Sequence, residues 1–191
     1  MAEAGTRRRF TIDEYHRMGQ AGILGDDERL ELIAGHIVVR EPIGSRHAAT
    51  VDRLTRLWTS RLGERAIVRV QNPVVLPDEA SEVQPDVMLL APRADFYIES
   101  HPTPADVLLL IEVADTSLLL DRRVKMPLYA RGGVRETWLC DLTTGRVDVH
   151  RDVTAGRYAS VRTFTSAQRL TVVAFPDISL SVAELLGPAA R

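Results

Sequence analysis

Two isolated carboxylates in apolar segments are the first candidates for chemistry in this sequence. Asp86 lies within VQPDVMLL (residues 83–90), and Glu112 near the end of VLLLIEV (residues 107–113). A buried carboxylate is costly unless a cation or hydrogen-bond donors compensate it. If the two segments are neighbouring strands, the two carboxylates repel each other unless a cation lies between them. Asp86→Asn removes this repulsion, so we expect the variant to be at least as stable as the wild type. Such hard oxygen ligands suit Mg²⁺ or Mn²⁺.

Lys125 is the candidate cation because it is the single lysine of the chain. The other 23 of the 24 Lys and Arg residues are arginines. Arginine keeps its proton, whereas lysine is a compact charge whose pKa can be tuned. A divalent metal on two acids, with a lysine that orients or deprotonates a water, supplies the parts of phosphodiester hydrolysis. The residues alone also fit a structural Glu112–Lys125 pair and an Asp86 that caps a turn.

A strand–helix–strand unit must position these residues. Residues 107–113 predict a strand covered on both faces, residues 121–131 an amphipathic helix bent by Pro127, and residues 136–140 a second strand. Because a helix joins the two strands, we expect them to be parallel.

The remaining segments predict a mixed α/β fold. The predicted elements are a helix at 11–18, a hairpin turning at Ala34-Gly35, a long helix capped by Ser45 and running to about residue 64, strands at 67–71, 74–76 and 83–90, a hairpin at 146–151 and 158–164, a strand at 170–175 and a helix at 178–186. We therefore predict a mixed β-sheet core of order αβββαβ flanked by helices, with an additional N-terminal hairpin and additional C-terminal strands.

Length and composition narrow the possible classes of protein. The 191 residues predict a flexible tail at 1–10 and one domain at 11–187. The net charge of −2 argues against a general polyanion binder but leaves room for a local basic surface. One cysteine, Cys140, is expected in the core and excludes a disulfide framework. No apolar run is long enough to span a membrane and the first ten residues carry no secretion signal, so we expect a cytoplasmic protein.

Several segments together resemble the Uma-two group of restriction endonucleases, a branch of the PD-(D/E)XK nuclease superfamily formerly described as a domain of unknown function. The usual lysine two places after the second acid is replaced by Ala114, and in this group the lysine has moved to the following helix, where Lys125 stands. The resemblance spans roughly residues 11 to 187. Its segments are ELIAG at 31–35, His47, QPDV at 84–87, IEV at 111–113 and DRRVKMPLYARGGVRETWLCD at 121–141.

The resemblance implies a restriction-endonuclease-like fold that cuts DNA with Mg²⁺ or Mn²⁺. It implies Glu31, Asp86 and Glu112 as the acidic site residues and Lys125 as the lysine. The backbone carbonyl of Val113 would be a further metal ligand beside Asp86 and Glu112. Two more residues, His47 and Asp121, are auxiliary candidates.

Our leading hypothesis is a metal-dependent DNA endonuclease. Asp86 and Glu112 hold the metal, Glu31 is an auxiliary ligand or positions a water, and Lys125 orients the attacking water and stabilises the developing charge. A non-catalytic module that binds nucleic acid or protein on the same scaffold, and a hydrolase of small phosphoesters, are the alternatives. Cutting both strands of a duplex is simplest with two copies of the domain, so we also predict a homodimer.

Overall fold

The structure, a computed structural model, describes residues 7–25 and 28–187. Residues 1–6 of the predicted tail lie outside the described residues, and at its other end the Phe10 N–H donates to the Gly35 carbonyl at 2.8 Å. In chain order the elements are α1 (Ile12–Gln20), β1 (Leu30–Ile33), β2 (His36–Val39), α2 (Ser45–Leu62), β3 (Ile67–Val70), β4 (Val74–Leu76), β5 (Ser81–Val83), β6 (Val87–Leu90), β7 (Val107–Ala114), α3 (Leu118–Leu120), a π-helical turn (Asp121–Lys125), α4 (Met126–Arg131), β8 (Thr137–Asp141), β9 (Arg146–Thr154), β10 (Arg157–Thr165), β11 (Arg169–Val172), β12 (Phe175–Ser181) and α5 (Val182–Leu186).

A six-stranded mixed sheet of order β10-β9-β8-β7-β6-β3 forms the centre of the fold. The β7–β8 pair is parallel, and all other neighbouring strands of this sheet are antiparallel. This arrangement confirms the predicted mixed sheet, in which the last core strand arrives through a helix. The N-terminal hairpin and the β9–β10 hairpin were also predicted correctly, whereas the strand predicted for residues 170–175 is wrong, because β11 ends at Val172 and β12 begins at Phe175.

The two faces of the sheet have different partners, because side chains alternate along each strand. On one face, Ile111 and Val113 of β7 pack in the cluster that contains Leu54 and Trp58 of α2. On the other, Leu110 and Ala114 of β7 pack with Met126, Leu128 and Tyr129 of α4. Since Glu112 stands between Leu110 and Ala114 in the even-numbered series, its side chain belongs to the face covered by the 118–131 helix.

A second sheet of order β2-β1-β5-β4 covers this same face. Its buried residues Ile33, Val74, Leu76 and Val83 join the cluster that contains the apolar residues of α4. The second sheet therefore brings β1, which carries Glu31, over the face of the central sheet that carries Glu112.

The single strand predicted for residues 83–90 is wrong. The chain forms β5 in the second sheet, crosses over through Gln84, Pro85 and Asp86, and continues as β6 in the central sheet. Pro85 has no N–H to donate to a ladder, so a break is favoured at this position. Asp86 consequently lies at the crossover between the two sheets rather than within a strand.

The helix before β8 differs from the prediction in its start and in its irregularity. It begins at Leu118 rather than at Asp121. At Pro127 we expected a bend, and the structure has a π-helical turn just before this residue. In this turn the Met126 N–H donates to the Asp121 carbonyl, five residues back. A proline cannot donate to the carbonyl four residues before it, and a widened turn accommodates that missing bond.

Two helix limits also differ from the predictions. Gly44, not Ser45, is the N-cap of α2. The C-terminal helix is restricted to Val182–Leu186, because Ser181 and Glu184 form a capping box and residues 178–181 complete β12.

Cys140 is fully buried in the core, as predicted, and burial raises the pKa of its thiol. Among the described residues, no helix combines the length and the apolar character needed to cross a membrane.

Candidate active site

A cleft of about 700 Å³ opens between the end of β2, the start of α2 and residues 115–121. Glu31, Asp86, Glu112 and Lys125 all line it, yet each is at most 3% exposed. They come from β1, the β5–β6 crossover, β7 and the π-helical turn. The fold thus brings the four principal site residues predicted from sequence into one polar cluster.

Asp86 is held by hydrogen-bond donors on both of its oxygens. Its Oδ2 accepts from the Val113 N–H at 2.8 Å. Its Oδ1 lies 3.0 Å from His47 Nε2 and accepts from Gln71 Nε2 and Arg40 Nη2, each at 3.3 Å. Burial works to raise the pKa of Asp86, but His47, the Val113 N–H and Arg40 together lower it. Asp86 is therefore a carboxylate whose charge is compensated by the protein itself.

Lys125 joins two carboxylates from different sheets. Its Nζ lies 3.1 Å from Glu31 Oε1 and 3.2 Å from Glu112 Oε1. The Tyr129 hydroxyl donates to the same Glu112 oxygen at 2.5 Å, and the Gln84 N–H donates to Glu31 Oε1 at 2.8 Å. Lys125 and Tyr129 are four residues apart and share one helix face. Both carboxylates are thus fixed by buried donors.

The charges of this cluster influence one another strongly. Burial raises the pKa of Glu112, and Asp86 and Asp121 add to the rise, whereas the neighbouring Lys125 ammonium opposes it and favours the ionised carboxylate. Burial works to lower the pKa of Lys125, but Glu112 and Glu31 outweigh it and raise the pKa. A lysine with a raised pKa stays protonated at neutral pH. Lys125 is consequently suited to orienting a water or stabilising negative charge, and poorly suited to accepting a proton.

The two auxiliary candidates lie in the same cleft. His47, in the first turn of α2, contacts Asp86 as described. Asp121, 3% exposed, accepts a hydrogen bond from the Ser117 hydroxyl at 2.6 Å, and burial raises its pKa. Val113 contacts Asp86 through its N–H, whereas the resemblance assigned its carbonyl oxygen to a metal.

Three contact residues were missed from the sequence, namely Arg40, Gln71 and Tyr129. Arg40 follows the apolar strand HIVV, the pattern that drew attention to Asp86 and Glu112, so a signal was present. Tyr129 stands four residues after Lys125, a spacing that we interpret from the sequence as packing, yet its hydroxyl donates to Glu112. Gln71 gives no sequence signal, because its position depends on the turn after β3, where its φ is 49°.

Carboxylate oxygens are the ligands that a hard divalent cation prefers, although these carboxylates do not form a complete coordination shell. Within residues 7–25 and 28–187, no three His, Cys, Asp or Glu side chains are grouped as a metal site. Mg²⁺ needs only one or two carboxylates when waters and phosphate oxygens complete its shell. Asp86 Oδ2 accepts one hydrogen bond, and no described residue donates to Glu112 Oε2. Asp86 and Glu112 are thus the residues that would hold the ion.

Comparisons with known proteins agree with this architecture. The family model Uma2, described as "Putative restriction endonuclease", matches residues 12–183. A crystal structure from Anabaena variabilis ATCC 29413, described as "a putative nuclease belonging to DUF820", is similar with a TM-score of 0.70 and 16% sequence identity. The match covers 93% of this chain and 97% of that one. At this identity the likeness shows a shared fold. No curated protein matches the chain.

Proposed function

Since the chain belongs to the Uma2 restriction-endonuclease family, we propose that it is a Mg²⁺- or Mn²⁺-dependent endonuclease that hydrolyses phosphodiester bonds of DNA. The observation that carries this proposal is the position of Lys125, within 3.2 Å of Glu31 and Glu112 in the cleft that Asp86 also lines. A buried ammonium beside carboxylates, at the end of an open cleft, suits the stabilisation of a phosphoryl transition state.

The proposed division of labour follows from the contacts. Asp86 and Glu112 would hold the metal, which when bound supplies Lewis-acid polarisation of the phosphate. Tyr129 and Lys125 occupy Glu112 Oε1, which leaves Oε2 for the metal. Glu31, fixed by the Gln84 N–H, holds Lys125 from the other side. Lys125 then donates its remaining N–H to the attacking water, and its positive charge stabilises the negative charge that develops on the phosphate.

One observation also favours a second candidate, a non-catalytic binding module on the same scaffold. Asp86 is compensated by Arg40 and His47, and Glu112 by Lys125 and Tyr129, without any further cation. A purely structural cluster would show the same compensation.

Nicking of supercoiled plasmid by the wild-type protein tests the proposal. We expect Mg²⁺ or Mn²⁺ to support nicking and chelation to abolish it, with metal binding measured in parallel by calorimetry. DNA binding without nicking under any divalent metal would establish the binding module instead. Hydrolysis of a small phosphoester such as p-nitrophenyl phosphate, with intact plasmid, would point to a small-phosphoester hydrolase.

We further propose that the chain is a homodimer. Its nine-residue strand β10 (Arg157–Thr165) lies at the end of the central sheet, and Val161 at its midpoint is 54% exposed. Two copies of β10 paired antiparallel about Val161 would place the two exposed Val161 side chains opposite each other, and their contact would remove apolar surface from water. Light scattering at micromolar concentration should give twice the 21.2 kDa chain mass. A mass of 21.2 kDa would contradict dimerisation.

A further inference from the structure

Among the described residues that line the cleft, Arg40 is the one with a buried side-chain polar atom that has no hydrogen-bond partner. Its side chain is 12% exposed, and Nη2 makes one long hydrogen bond of 3.3 Å to Asp86 Oδ1. Nε lies 3.8 Å from Glu31 Oε1, an ion pair beyond hydrogen-bonding distance. Nη1 is buried without a hydrogen-bond partner among the described residues. A guanidinium carries five N–H donors, so most of its hydrogen-bonding capacity is unused.

We propose that Arg40 is the anion-binding residue of the cleft and contacts a non-bridging oxygen of the scissile phosphate. This role rests on the proposed endonuclease function and adds a residue that sequence reasoning did not assign. The planar fork of arginine matches two oxygens of a phosphate, whereas an ammonium presents a point charge. Lys125 keeps one N–H after its bonds to two carboxylates, whereas Arg40 beside Asp86 has several unused donors, one of them buried.

The surroundings of Arg40 allow it to turn toward a ligand. Its contacts with Asp86 and Glu31, at 3.3 and 3.8 Å, are long, so a small rotation sacrifices little. Asp86 keeps three other donors after such a rotation, from His47, Gln71 and the Val113 N–H. A bound phosphate gives the buried Nη1 an acceptor. The anion would then lie beside the carboxylates proposed to hold the metal.

Arg40→Lys keeps the positive charge but removes the planar guanidinium, so it tests the guanidinium geometry by itself. Arg29→Lys is the matched control. Arg29 lines the same cleft, but its Nη1 donates to the backbone carbonyl of Glu41 and it makes no described hydrogen bond to a site carboxylate. The probe is inorganic phosphate without metal, followed by thermal melting. We expect phosphate to raise the melting temperature of the wild type and of Arg29→Lys. The melting temperature of Arg40→Lys should not change with phosphate. An equal shift in Arg40→Lys, or no shift in the wild type, would overturn the anion site.

Cleavage kinetics of a short oligonucleotide duplex test whether the anion site acts in the reaction. Arg40→Lys should lower kcat on the order of a hundredfold, the usual loss for one transition-state donor, with a much smaller change in KM. Unchanged kcat in Arg40→Lys, beside an active wild type, overturns the catalytic role. A wild type that cuts nothing defeats the proposed function instead, and the phosphate melts still decide whether Arg40 binds an anion.

A structural measurement covers the case in which Arg40→Lys does not fold. Crystals of the wild type soaked in phosphate should show the anion within hydrogen-bonding distance of the Arg40 guanidinium and none at Arg29. Crystals that show no anion at Arg40 would contradict the inference.

Discussion

Lys125→Arg should fold and bind metal, yet lose on the order of a hundredfold or more in phosphodiester cleavage, the loss usual for a misplaced transition-state donor. The ammonium fits between two carboxylates, with both N–O distances close to 3 Å, in a position only 3% exposed. A guanidinium is longer and planar, so it preserves the charge but displaces it from the path of the water. The loss should therefore fall on kcat, with metal binding retained.

Nicking of supercoiled plasmid with Mn²⁺, beside a thermal melt, measures this effect. Arg123→Lys is a suitable control, because Arg123 is an exposed residue of the same π-helical turn and does not line the cleft. The control should nick as the wild type does. Wild-type rates in Lys125→Arg would instead mark the lysine as a structural partner of Glu112 and Glu31.

Asp86→Asn is expected to abolish both cleavage and the stabilisation by metal, and to destabilise the protein by about 1–3 kcal/mol. Three of its described partners, the Val113 N–H, Gln71 Nε2 and Arg40 Nη2, are donors. An amide NH₂ group placed among donors leaves hydrogen bonds unmade. The sequence alone suggested the opposite sign, on the premise that Asp86 and Glu112 repel without relief. Arg40, His47 and Lys125 supply that relief.

Thermal melts with and without Mg²⁺ or Mn²⁺ separate the two effects on Asp86→Asn. Ligand binding to the folded state raises the melting temperature of the wild type by mass action, and the variant should lose this rise. Asp115→Asn is the matched control, since Asp115 lines the same cleft but pairs with Arg46 at 3.6 Å. An undiminished metal response in Asp86→Asn would exclude Asp86 as a ligand.

The elements with strong local patterns could be predicted from the sequence. The apolar run of β7, the pair Gly132-Gly133 directly after the 118–131 helix and the turn at Ala34-Gly35 each carry their own local signal. Parallel pairing of β7 with β8 follows from the intervening helix. Local signals, together with the rule that strands joined by a helix are parallel, therefore suffice to predict the central β7–helix–β8 part of the sheet.

The details that shape the cleft depend on tertiary contacts and could not be predicted in this way. Residues 83–90 have the composition of one strand, yet the chain divides them between two sheets at Pro85. The convergence of Arg40, His47 and Gln71 on Asp86 spans sequence separations of 46, 39 and 15 residues. Periodicity within a segment contains no information about such partners.

The wide spacing of the site residues links activity to the order in which the chain folds. Glu31 and Lys125 are 94 positions apart in sequence and 3.1 Å apart in the fold. Contacts between residues so far apart in sequence form late in folding, because the entropy cost of closing a long loop comes before the contacts stabilise the chain. The parallel β7–β8 ladder that supports Glu112 also extends to Asp141. A nascent chain that had emerged only to residue 131 would carry every proposed site residue, Tyr129 included, but no β8. Cleavage would then begin only when the domain is complete, and the enzyme assay would report folding as well as chemistry.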